Sequence, residues 1–291
     1  IWTVPFTICM RASTQRECLS LIDSFGSISL SDPSFEHERL RVITVRSRAL
    51  GRRGDVSVWV PEADEISTLL ILLHGVCGSH WSWALEGGVH HTAARMLVSG
   101  EISPLVIAMP SDGLRGDGSA WLTWPGAEDV ERWVIDEVPQ VASIAAPCLR
   151  QDAAVVIAGL SMGGYGALRL GAKYPEHFCG VSAHSAITDI SEMANFVEEP
   201  METFLATARG EELSTLYWFR RNRNLLPRLR FDCGTSDQLI GPNRALHAAL
   251  LSEGIPHIYE ESPGGHDWSR WQEQVPGTLR FAAPGAPRSE P

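Results

Sequence analysis

Long apolar runs, blocks of like charge and paired cysteines are all missing from this 291-residue chain. No stretch reaches the roughly 18 apolar residues of a membrane-spanning helix, and runs such as residues 69–73 have only the length of a strand. No block of five or more charges of one sign occurs. With 24 Lys and Arg against 35 Asp and Glu the formal net charge is −11, which argues against nucleic acid and anionic membrane surfaces as partners. The six cysteines (Cys9, Cys18, Cys77, Cys148, Cys179, Cys233) form no C-x-x-C pair, so neither a zinc site nor a dense disulfide framework is expected. Single buried thiols and a cytoplasmic protein are the expectation, with secretion and one long-range disulfide left open. Residues 1–10 are apolar but lack a basic n-region and a small-residue cleavage site, and are not read as a secretion signal. The metal-binding spacing H-x-x-x-H is absent, and the neighbours His90 and His91 are expected to point apart, so no metal and no cofactor is expected. G-x-G-x-x-G is absent too, which removes a dinucleotide loop.

The residues present describe an α/β protein. At 44% hydrophobic and 20% charged, the chain can bury one sizeable core. Strand patterns fall at 40–45, 56–60, 69–74, 105–109, 155–159, 180–184, 229–233 and 257–260, and helical patterns at 92–98, 128–144, 162–173, 243–252 and 268–281. This alternation predicts parallel βαβ units in a mostly parallel eight-stranded sheet flanked by helices. Residues 69–73 and 155–157 are apolar at every position, as central strands covered on both faces would be. Pro139 predicts a kink in the second helical stretch. Residues 1–36 read as a loosely attached arm, 37–281 as the catalytic domain with 187–228 as a small lid insertion, and 282–291 as a disordered tail.

The chemistry is concentrated where a strand breaks into Gly159-Leu160-Ser161-Met162-Gly163 and continues as a helix. G-x-S-x-G in this context is a nucleophile elbow. The two glycines let the chain pass close to itself, the turn exposes Ser161 Oγ, and the Met162 N–H at the helix start faces a developing oxyanion. Ligands of open parallel sheets gather at the carboxyl ends of the strands, which is where partners belong. His74-Gly75-Val76 follows a strand and offers the Val76 N–H as second oxyanion donor, with His74 itself structural. Asp237, after Cys233-Gly234-Thr235-Ser236, can accept from a histidine Nδ1–H, and Asp232 inside the strand is the alternative. His266, after two glycines beyond the last strand, can serve as general base and then as general acid. The order Ser161, Asp237, His266 is that of α/β-hydrolases.

From about residue 41 to 280 the chain resembles the putative-esterase branch of the α/β-hydrolases, which includes esterase D, S-formylglutathione hydrolases, compact feruloyl esterases and mycolyltransferase-like proteins. The matching pieces are Leu73-His74-Gly75, Met109-Pro110-Ser111-Asp112-Gly113, the run from Gly159 to Leu168, Tyr174-Pro175, the run from Cys233 to Asp237, and Gly265-His266-Asp267-Trp268. The resemblance implies a serine triad of Ser161, Asp237 and His266 with Val76 and Met162 as oxyanion donors. Residues 115–121 depart from the aromatic, glycine-rich run typical of S-formylglutathione hydrolases. The expected activity is hydrolysis of short-chain or compact aromatic acyl esters through an acyl-serine intermediate, the alternatives being an acyltransferase or a non-catalytic binding protein on the same fold. Trp81, Trp83, Trp121, Trp124 and Trp268 fall on loops at the expected active end and are candidates to wall the pocket. Asp112 and Asp117 are expected to hold their loops. The partner is a small-molecule ester, with homo-oligomerisation left open.

Overall fold

The computed structural model describes residues 25–124, 126, 128–207 and 210–285. Nine strands form one sheet: β1 (Ile28–Leu30), β2 (Leu40–Arg46), β3 (Arg53–Trp59), β4 (Ile66–Leu73), β5 (Val106–Pro110), β6 (Leu149–Leu160), β7 (Gly180–His184), β8 (Arg228–Gly234) and β9 (Ile258–Ser262). Their spatial order is β1-β2-β3-β5-β4-β6-β7-β8-β9. β1, β2 and β3 run antiparallel to their neighbours, and β3 pairs antiparallel with β5. From β5 to β9 every pairing is parallel. This is the α/β-hydrolase plan.

The unbroken apolar run of β4 has a direct structural reading. Side chains alternate across a strand. Leu69, Ile71 and Leu73 enter the core on one face, and Leu70 and Leu72 enter a separate core on the other. Helices α1 (Val89–Val98), α2 (Val138–Ala145), α3 (Met162–Lys173), α4 (Thr215–Arg221), α5 (Ile240–Ser252) and α6 (Trp268–Ala282) flank the sheet. α3 is buried along nearly its whole length against the face that holds Ile157 and Val181, while α6 packs its Trp271, Val275 and Leu279 stripe with Val156 and Ala158 on the opposite face.

Several expectations need correction. The arm read at 1–36 contains β1, whose Ile28, Ser29 and Leu30 pair with Val45, Thr44 and Ile43, so the sheet has nine strands rather than eight; residues 1–24 lie outside the described residues. The tail read from 282 onward begins with packed chain. Ala282 and Ala283 are buried and Ile102 bridges Pro284; residues 286–291 lie outside the described residues. The single helix expected at 128–144 is three pieces, Val130–Arg132, a π-helical turn at Trp133–Glu137, and α2. Pro139 is the second residue of α2, directly after the π-helical turn, so the irregularity in the helical stretch falls just before the proline. Of the four described cysteines all are free thiols, yet only Cys233 is buried, and Cys77 and Cys179 are exposed.

Candidate active site

β6 ends at Leu160 and α3 begins at Met162, leaving Ser161 as the single residue of the turn, with φ 52° and ψ −119°. A positive φ at a non-glycine residue is strained, costing on the order of 1–3 kcal/mol. The packing around the turn holds it there. A Cβ on Gly159 would overlap the Gly163 carbonyl, and a Cβ on Gly163 would overlap the Leu73 carbonyl, so the strand–turn–helix can close this tightly only with glycine at both positions. The Ser161 N–H donates to His184 O at 3.0 Å, and Ser161 O accepts from Tyr165 and Ile187.

Two loops deliver the other groups. After β8, Asp237 is fixed by the Leu239 N–H donating to its Oδ1 at 2.8 Å. After β9, the loop carrying His266 is tied to the Asp237 loop by Thr235 N–H to Ser262 O at 2.9 Å and Ser236 N–H to Gly264 O at 3.0 Å. Gly234 lies against the Gly264 carbonyl, so the two loops touch backbone to backbone. Asp267 then caps α6 by accepting from the Arg270 N–H at 3.1 Å, which leaves His266 one residue outside the helix.

These constraints place His266 Nε2 2.9 Å from Ser161 Oγ and His266 Nδ1 3.1 and 3.0 Å from Asp237 Oδ1 and Oδ2. Asp237 is buried. Burial pushes its carboxyl up, but His266, the neighbouring Ser185 and the Leu239 amide together outweigh this and hold it below the ordinary carboxylate range. Asp232, the alternative acid, is engaged elsewhere. Its carboxylate bonds His184 Nδ1 at 2.8 Å, Arg230 at 3.1 Å and Arg270 at 3.2 Å in a fully buried network.

Ser161 opens onto a cleft of about 310 Å³ bordered by Val76, Phe196, His266, Trp268 and Trp271, with Glu86 at its margin. Val76 thus shares the cleft with Ser161, and Met162 opens α3, where first-turn amides have no intrahelical acceptor. The Phe196 ring lies 4.9 Å from the His266 ring, and Trp271 meets the same imidazole edge-on at 5.1 Å. Phe196 comes from the 187–228 insertion, whose Glu198 N–H and Glu199 carboxylate are bonded to Asp117.

Of the five tryptophans expected to wall the pocket, Trp268 alone borders this cleft. Trp83, Trp121 and Trp124 are buried, their indole N–H groups donating to Leu73 O, His74 O and Ser119 O. Trp81 is exposed outside the cleft. Trp271 and Phe196 were missed: the first belongs to the apolar stripe of α6, and the second lies in a segment without a clear period. Asp112 accepts from Leu114 N–H and Ser119 N–H and Asp117 from Glu198 N–H, both as loop holders. His74 is buried against Trp121. His90 and His91 do not point apart. Their rings are 4.0 Å from one another and both turn to Glu38, because a residue off the end of a helix can be reached from two successive first-turn positions.

A serine held on a strained strand-to-helix turn, hydrogen-bonded to a histidine and through it to a buried aspartate, on this sheet order, has the arrangement of the serine-hydrolase class, which comparison narrows to an esterase. Chain-wide comparison agrees. The family model described as "Putative esterase" matches residues 47–282, and the chain belongs to that family. An acetyl esterase of Caldicellulosiruptor saccharolyticus is 27% identical over 236 residues, which cover 76% of this chain and 84% of that protein. A solved ferulic acid esterase superposes with a TM-score of 0.70 at 25% identity, covering 89% of this chain and 98% of its own. The S-formylglutathione hydrolase of Staphylococcus aureus gives a TM-score of 0.70 at 20% identity over 88% of this chain and 99% of its own, a likeness of fold. The protein is an ester hydrolase acting on small-molecule esters. No helix among the described residues is long and apolar enough to cross a membrane.

Proposed function

We propose that the protein hydrolyses short-chain or compact aromatic acyl esters through an acyl-serine intermediate on Ser161. The observation that carries this reading is the continuous hydrogen-bonded line from Ser161 Oγ through His266 to Asp237. Ser161 Oγ attacks the ester carbonyl carbon as His266 Nε2 takes its proton, and Asp237 holds the tautomer and offsets the imidazolium charge. The tetrahedral oxyanion is received by the N–H groups of Val76 and Met162. His266 returns the proton to the departing alkoxide, the C–O bond breaks, and the acyl group stays on Ser161. Water, deprotonated by His266, then attacks the acyl carbonyl and frees the acid and the serine.

Size supports the acyl preference. A cleft of about 310 Å³ stands at the low end of small-molecule sites, which run from roughly 300 to 1,000 Å³, and its aromatic walls suit an acetyl or a flat hydroxycinnamoyl group. The likeness to an acetyl esterase and a ferulic acid esterase points the same way. The 187–228 insertion acts as a small lid, since its Phe196 borders the cleft.

Rapid quench with 4-nitrophenyl acetate and a feruloyl ester, followed by peptide mass spectrometry, tests the intermediate. The expected result is an acyl mass added to the peptide containing Ser161. Turnover with no acylated Ser161 peptide, using a substrate whose deacylation is slow, contradicts it. Product analysis with added alcohol separates hydrolysis from acyl transfer.

A further inference from the structure

A second cavity, about 810 Å³ and larger than the Ser161 cleft, opens beside the amino end of α1, and none of Ser161, Asp237 and His266 lines it. Glu38, His90 and His91 meet on its wall, each offering one ligand atom, and those atoms all lie within 4.8 Å of one another. We propose that Glu38, His90 and His91 form a binding site for a divalent transition-metal ion, with zinc the best match.

Donor chemistry selects the ion. Two imidazole nitrogens and one carboxylate oxygen suit a borderline ion such as zinc, whereas magnesium and calcium prefer all-oxygen shells. Ligand atoms about 2 Å from one tetrahedral ion stand roughly 3.3 Å apart. His90 Nε2 is 3.4 Å from Glu38 Oε2 and His91 Nδ1 is 2.7 Å from the same oxygen, and all three ligand atoms lie within 4.8 Å of one another, so an ion needs the His91–Glu38 contact to open slightly and the two imidazoles to settle around it. Three protein ligands leave a fourth position for water, and the cavity, which His37 also lines, has room for it.

The backbone builds this convergence deliberately. Glu38 and Arg39 are successive non-glycine residues with φ of 50° and 64°, in a turn closed by Leu40 N–H to His37 O at 2.9 Å. That left-handed pair aims the Glu38 carboxylate at the first turn of α1. His90 is buried with its Nε2 toward Glu38, and its Nδ1 has no partner, so no second protein bond fixes the ring in another role. The helix amino end opposes a cation, and the Glu38 charge offsets it. Arg95, on the same cavity, is turned toward Thr92 Oγ1 at 3.3 Å. Glu38 and His91 are more than half exposed, which gives the ion a way in.

Zinc titration in competition with a chromophoric chelator, paired with thermal denaturation, tests the site in the wild type, His91→Ala and Glu38→Gln. The expected result is one zinc per chain, an affinity at least about 10-fold weaker in each variant, and a wild-type Tm rise of roughly 5 °C at 100-fold excess over Kd that both variants lose. Both changes lie outside the ester-cleaving groups, so unchanged esterase activity certifies folding, and each variant decides the question if the other fails to fold. No zinc binding by the wild type, or unchanged affinity in a folded variant, overturns the proposal. The latter would place the zinc on other groups, such as the exposed thiols Cys77 and Cys179.

Discussion

Phe196 and His266 lie ring against ring at 4.9 Å with a 36° tilt, although one belongs to the insertion between β7 and β8 and the other to the loop after β9. The contact makes the insertion part of the surroundings of the base. Phe196→Ala removes one wall of the imidazole and of the cleft, and kcat/KM for a small acyl ester is expected to fall about 10- to 100-fold through lost orientation. Longer acyl groups should lose less, because the cleft widens. Equal losses across an acetyl-to-decanoyl series would show that Phe196 does not shape the acyl site.

Asp237→Asn tests the orienting acid. The amide cannot fix the His266 Nδ1–H tautomer, and kcat is expected to drop about 10⁴-fold with little change in KM. Asp232→Asn should retain far more activity, since Asp232 bonds His184, Arg230 and Arg270 rather than His266. A reversed ranking would move the acid role to Asp232.

Stability has its own acid-sensitive centre. Buried Glu131 bonds Arg169 Nη1, Lys173 Nζ and Tyr174 Oη, each at 2.6 Å. Burial raises its carboxyl, but Arg169 and Lys173 outweigh that and leave it lowered. A carboxyl lowered in the folded state takes up protons more readily when unfolded. Its contribution is therefore full above the ordinary glutamate value and is lost as the pH falls through the lowered folded one. Glu131→Gln strands the buried Arg169 charge and should cost about 3–5 kcal/mol, a Tm drop on the order of 10 °C at neutral pH. A drop under 2 °C would mean the network stabilises little.

The part of this design that could be read from sequence is the part that depends on local geometry. G-x-S-x-G between an apolar strand and a helix leaves the chain few options, and the Asp237 and His266 loops are marked by glycines where backbones touch, at Gly234 and Gly264. The central strands were legible because both faces are covered, which makes residues 69–73 apolar throughout. The short edge strand β1 was not, since three residues of mixed exposure carry no period. The tryptophans misled because an indole near the active end satisfies its N–H as readily on a buried carbonyl as it walls a cleft, and that choice is made by tertiary packing. His90 and His91 misled for a related reason: spacing along a helix describes its flank, whereas Glu38 approaches from the end.

The most direct test of the central claim is the initial rate of 4-nitrophenyl acetate hydrolysis by the wild type beside Ser161→Ala, with Tm measured on both. The account predicts measurable wild-type turnover that falls at least about 10⁴-fold in the variant at an essentially unchanged Tm. A folded Ser161→Ala variant that hydrolyses the ester at a rate comparable to the wild type would contradict it.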